Sequence, residues 1–87
     1  MASDNIITVK FFARLREELE TASLDVEAQP GLTAGGLLRT LAGKGGQWAQ
    51  LDSAQPVMIA VNQVMTKPEK ELQPGDEVAF FPPVTGG

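Results

Sequence analysis

The stretch Ile6-Ile7-Thr8-Val9-Lys10-Phe11-Phe12 decides how the rest of the chain is read. β-Branched and aromatic residues alternate here, with Ile7, Val9 and Phe11 on one face and Thr8, Lys10 and Phe12 on the other. A strand with one buried face is expected. Beyond it the period changes: across Ala13 to Glu20, Leu15 and Leu19 lie four apart among Arg14, Arg16, Glu17, Glu18 and Glu20, which suits a short amphipathic helix. Ser23 to Glu27 returns to alternation, with Leu24 and Val26 opposite Asp25, and Gln29-Pro30-Gly31 stops this second strand.

Further out, Thr33 reads as a helix N-cap, with Leu32 as a staple residue before it and Leu37, Leu38, Leu41 and Ala42 at helical spacing after it. Gly35 and Gly36 fall in the first turn, where each costs about 0.8 to 1 kcal/mol relative to alanine. No Glu or Gln completes a capping box, so packing of the leucine stripe must sustain the helix. Gly43-Lys44-Gly45-Gly46 ends it, and Trp48 and Leu51 are expected to fold back as a lid over the core. Val57 to Val61 is a third strand with Val57, Ile59 and Val61 on one side, and Asn62-Gln63 turns it into a hairpin with Val64-Met65. Lys67-Pro68 breaks the pairing and Leu72 anchors the next segment. Pro74-Gly75-Asp76 turns into the last strand, Glu77 to Phe81, after which Pro82 and Pro83 leave the sheet.

Two strands, a crossover helix and further strands predict an α+β fold of the β-grasp, ubiquitin-like kind. It would have a mixed sheet of about four to five strands under one main helix, plus a short helix. Residues 1–81 would form the domain and residues 82–87 an extended, flexible Gly-Gly tail. With 87 residues, 43% hydrophobic and 21% charged, the chain holds one core only. It has no cysteine and no histidine, which removes disulfides, thiolate metal sites, cysteine nucleophiles and the commonest general base. The net charge is −4, with five acids against two bases after Gln50, which argues against nucleic-acid binding. No apolar run approaches the roughly 20 residues of a membrane span, and the start lacks a signal peptide, so a soluble, cytoplasmic protein is expected.

Two features bear on chemistry. The first is the ending Pro82-Pro83-Val84-Thr85-Gly86-Gly87: prolines stiffen its exit, and side-chain-free glycines let the final backbone enter a narrow slot. It presents the Gly87 carboxylate, which is inert at neutral pH until a reagent such as ATP turns it into a mixed anhydride open to a sulfur or nitrogen nucleophile. The dipeptide by itself suits a frayed end equally well. The second is a set of apolar side chains on the outer face. Phe12 and Phe81 point away from the core on strands that can be neighbours, and with Met65 they make a patch near the root of the tail, of the kind a partner buries. Gly43-Lys44-Gly45-Gly46 lacks the spacing of a phosphate loop, and Glu17, Glu18 and Glu20 lie beside Arg14 and Arg16 on a solvated helix face. No catalytic constellation and no metal site is legible.

These residues resemble a known family, the small sulfur-carrier (MoaD-type) subunit of molybdopterin synthase, within the wider ThiS-like, ubiquitin-like carriers. The resemblance lies in Val9-Lys10-Phe11-Phe12-Ala13 with Arg16-Glu17, in Ala60-Val61-Asn62-Gln63, and above all in Gly75-Asp76-Glu77-Val78-Ala79-Phe80-Phe81-Pro82-Pro83-Val84-Thr85-Gly86-Gly87. It implies a β-grasp fold and a chain that is not an enzyme on its own. Gly87 would be adenylated by a separate ATP-using, MoeB-type enzyme and converted to a thiocarboxylate. It would then give its sulfur to cyclic pyranopterin monophosphate inside the MoaE-type large subunit, with Gly86 allowing passage. Phe12, Met65, Phe81, Pro82, Pro83, Val84 and Thr85 would meet the partner. The resemblance implies no cofactor held by this chain beyond a transient acyl-adenylate, and an assembly of large and small subunits as a heterotetramer. The competing expectations are a carrier for thiamine or cysteine synthesis, a ubiquitin-like protein modifier, and a purely structural interaction module.

Overall fold

The structure, a computed structural model, describes residues 5–52 and 57–82. In chain order they form β1 (Ile6–Phe11), α1 (Ala13–Leu19), β2 (Ser23–Glu27), α2 (Ala34–Ala42), a 3₁₀ segment (Gly46–Asp52), β3 (Met58–Val61), β4 (Val64–Met65) and β5 (Glu77–Phe81). The strands make one mixed five-stranded sheet in the order β2-β1-β5-β3-β4. β1 and β5 run parallel, while β1–β2, β5–β3 and β3–β4 are antiparallel. The third strand starts at Met58 rather than Val57.

The period-two pattern decides which side is covered. Ile7, Val9 and Phe11 of β1, Ile59 and Val61 of β3, and Val78 and Phe80 of β5 are buried with Leu37 and Leu41 of α2, Leu15 and Leu19 of α1, and Leu51. A buried aliphatic or aromatic side chain contributes about 1.5 to 3 kcal/mol relative to exposure, so this single layer of contacts stabilises the domain. Trp48 closes one side, its ring 5.5 Å from that of Phe11 at 81°, and the Lys44 ammonium lies 5.5 Å from the Trp48 ring centre. The expected lid is therefore present, as a 3₁₀ segment that periodicity did not announce.

The start of α2 corrects one expectation. Its first-turn donors are all satisfied: the Ala34 N–H by the Lys70 carbonyl at 2.9 Å, the Gly35 N–H by the Pro68 carbonyl at 2.8 Å, and the Gly36 N–H by Thr33 Oγ1 at 3.0 Å. Gly35 is no mere weakness, because a Cβ there would lie 2.9 Å from Pro68 Cβ and 3.2 Å from the Pro68 oxygen. The missing side chain lets the loop before Leu72 lie against the helix and cap it.

Candidate functional site

The uncovered side of the sheet is where register brings the candidate residues together. β5 pairs with β1 and β3 at once, so Lys10, Ala79, Ala60 and Met65 form one row across four strands. In the next row Met58 lies opposite Phe81, and Phe12 follows the Phe11–Phe80 pair on the neighbouring strand. The outer face is thus apolar at the end where β5 finishes: Phe12 is 45% and Met65 53% exposed, Phe81, Met58 and Ala79 are half-buried, and Ala60 is buried. Phe81 is less exposed than alternation implied, since Met58 and Phe12 stand beside it. The sequence reading missed Met58, Ala60 and Ala79 as parts of this surface. The signal was present, because alternation that turns Ile59 and Val61 inward turns Met58 and Ala60 outward.

Local backbone shapes the margin of the patch. The Phe12 N–H donates to the Phe80 carbonyl at 3.2 Å, tying the end of β1 to β5. Ala13 comes next at φ +56°, in the left-handed region, which swings the chain out of the strand into α1 and leaves the Phe12 side chain outside. Pro82, half-buried, is the last described residue. Pro83, Val84, Thr85, Gly86 and Gly87 lie outside the described residues.

At the other end of the same face the surface is polar. Lys10 Nζ lies 3.3 Å from Glu77 Oε2 with both side chains well exposed, a pair that contributes little to stability. There the β3–β4 turn and the start of β5 are joined by Asn62. Its Nδ2 donates to Asp76 Oδ1 at 3.0 Å, its Oδ1 accepts from the Glu77 N–H at 3.1 Å, and its own N–H donates to the Glu77 carbonyl at 2.7 Å. Asp76 Oδ2 in turn accepts from the Gln73 N–H at 2.7 Å. Asn62 and Gln63 have φ of +52° and +69°, the signature of a two-residue hairpin turn in the mirror-image class.

The weaker signals resolve as structure. Gly43-Lys44-Gly45-Gly46 is a helix stop, with Gly45 and Gly46 at φ +80° and +57°. The acids of α1 face solvent, Glu18 within 3.8 Å of Arg14. Among the described residues, no three acidic side chains are gathered as a metal site, and no helix is long and apolar enough to cross a membrane.

A helix-backed mixed sheet with parallel first and last strands and an apolar outer patch defines a ubiquitin-like β-grasp protein. The crystal structure of SAMP1 from Haloferax volcanii superposes with a TM-score of 0.75 at 26% identity, over 94% of this chain and 99% of that one. The chain belongs to the ThiS family, whose model matches residues 9–87. It is 41% identical over 83 residues to the molybdopterin synthase sulfur carrier subunit of Escherichia coli, covering 94% of this chain and all (100%) of that protein. It is 38% identical over 82 residues to the subunit of the same name from Haemophilus influenzae, with the same coverage of 94% and 100%.

Proposed function

We propose that this chain is the sulfur carrier of a molybdopterin synthase, and that its working atoms are those of the Gly87 carboxyl group. A carboxylate oxygen attacks ATP in a MoeB-type activating enzyme, pyrophosphate leaves, and an acyl-adenylate forms at Gly87. Hydrosulfide released by a sulfur donor then attacks the acyl carbon, AMP leaves, the S–H proton is lost, and a thiocarboxylate remains. The sulfur passes to cyclic pyranopterin monophosphate in a MoaE-type large subunit, water restores the carboxylate, and two such transfers build the dithiolene. The acid-base groups and the cations that hold the pterin belong to the large subunit, and the small one is a co-substrate.

The observation that carries this reading is the apolar outer patch of Phe12, Phe81, Met58 and Met65, placed where β5 delivers the chain to Pro82-Pro83-Val84-Thr85-Gly86-Gly87. A partner that buries the patch takes hold of the domain beside Pro82, where the chain leaves the sheet on its way to the glycines, and so brings the reacting group near its own site. Near-full-length identity to the carrier subunits supports the same choice. The same reading takes residues 1–81 as the domain and 82–87 as the tail, a division supported by the end of β5 at Phe81. The test is co-purification with the candidate large subunit followed by an assay for dithiolene product. Product formation by the full chain and none by a chain lacking Gly86-Gly87 is expected, and equal product from both overturns the reading.

A second reading is favoured by the likeness to a protein named small archaeal modifier protein 1: the same activated carboxyl group would be spent on a lysine amine. Intact-mass analysis of the protein isolated from cells separates the two, because a carrier shows a sulfur-for-oxygen change and a modifier shows covalent adducts with other proteins.

A further inference from the structure

β2 is the outermost strand on the side of the sheet away from β4. Its ladder to β1 uses every second residue. The Phe11 N–H donates to the Ala22 carbonyl at 3.0 Å and the Ala28 N–H to the Asn5 carbonyl at 2.6 Å, and in the intervening register Val9 faces Leu24 and Ile7 faces Val26. Antiparallel alternation therefore turns the backbone groups of Leu24 and Val26 towards β1, and those of Ser23, Asp25 and Glu27 away from the sheet. No described residue pairs with those outward groups.

Four further properties belong to this edge. It has five regular residues without proline or glycine, so nothing interrupts a further ladder. Leu24 and Val26, on the core side, are only half-buried, whereas their β1 partners Val9 and Ile7 are 0% exposed. Asp25 and Glu27, on the outer side, are exposed. Beyond Glu27 the line of the edge runs into a cleft of about 340 Å³ lined by Ala28, Gln29, Pro30, Glu71 and Leu72.

We propose that the free edge of β2 accepts an extended segment of a partner protein in which basic and apolar residues alternate. Backbone pairing to Ser23, Asp25 and Glu27 supplies the ladder. Side-chain alternation then sets the apolar residues beside Leu24 and Val26 and the basic residues beside Asp25 and Glu27. Acidic side chains alone would serve to blunt an edge against aggregation. Such protection does not call for an unfinished apolar row on the opposite side of the same strand. A second copy is the wrong occupant, because edge-to-edge pairing of two β2 strands sets Asp25 and Glu27 among their own charges. The edge shares no residue with the Phe12–Met65 patch, so the proposal stands or falls apart from the sulfur-carrier reading.

The test is a titration of the isotope-labelled full chain with a capped peptide alternating lysine and valine, in parallel with one alternating glutamate and valine, monitored by amide chemical shifts and hydrogen exchange. The lysine peptide is expected to shift and protect the amides of Ser23, Asp25 and Glu27 while leaving Phe12 and Met65 unmoved, and the glutamate peptide to leave all of them unchanged. Asp25→Asn with Glu27→Gln should weaken the lysine peptide about fivefold or more, and Asp25→Lys with Glu27→Lys should reverse the preference. These side chains are exposed, and the wild-type spectrum elsewhere verifies the fold of each variant. Absence of protection at millimolar peptide, equal response to both peptides, or shifts confined to the Phe12–Met65 face overturns the proposal.

Discussion

The side-chain amide of Asn62 donates to the carboxylate of Asp76 at 3.0 Å, although fourteen positions separate the two residues. Asn62 thereby binds the β3–β4 turn to the first residues of the central strand, and the left-handed φ of +52° that this requires is one asparagine tolerates better than most residues. Asn62→Ala removes both side-chain bonds and keeps the unfavourable φ. It is expected to cost about 1 to 2 kcal/mol, read as a lower urea midpoint with unchanged slope. Asn62→Gly, which relieves the backbone but not the bonds, should fall between alanine and wild type.

Gln63 shows the opposite case. Its φ is +69°, it is exposed, and no contact of its side chain accounts for the choice of glutamine. Gln63→Gly should stabilise the domain by about 0.5 to 1 kcal/mol, since asparagine-glycine is the preferred pair for this turn. A thermal midpoint at or below that of wild type would refute this.

Helix propensity alone predicts that Gly35→Ala is favourable. The contact with Pro68 reverses the sign: an added Cβ at 2.9 Å forces the loop away and strains two capping bonds. A net loss of about 1 to 3 kcal/mol is expected from overpacking, measured by denaturant unfolding.

Phe81→Ala should weaken association with the large subunit by about 2 kcal/mol or more if the patch is the energetic centre of that interface. Calorimetric titration measures it. Phe12→Ala, at a more exposed position, should weaken association while leaving the thermal unfolding midpoint within about 2 to 4 °C of wild type, because surface truncations cost about 0.5 kcal/mol or less.

Gly86→Ala should leave folding untouched and slow sulfur transfer, because a methyl group at the penultimate position narrows passage through a partner's channel. Unchanged single-turnover transfer would remove the channel from the proposed mechanism.

Strands were legible wherever β-branched and aromatic residues alternated: β2 and β5 fall on the expected residues, and the inward set of β1 is the buried set. Thr33 was legible as a cap because its hydroxyl has one obvious use there. The features that stayed hidden depend on contacts remote in sequence. Gly35 looked like a defect until Pro68 was seen against it, and Gly46–Asp52 has no period that separates a 3₁₀ segment from a loop. Within the candidate site, Phe12 and Met65 were readable as outward-facing. Alternation also turned Met58, Ala60 and Ala79 outward, but their place beside Phe12 and Met65, and the half-burial of Phe81, required the order of strands, which one-dimensional alternation does not fix.

β5 lies between β1, which runs parallel to it, and β3, which runs antiparallel. A pull on the residues after Pro82 acts along that strand and across the hydrogen bonds on both its flanks, so the load falls on two ladders in shear instead of opening one bond at a time. Under the proposed function, a partner that draws on the chain beyond Pro82 would load a strand held on both flanks instead of an edge strand, so the sheet resists being peeled apart.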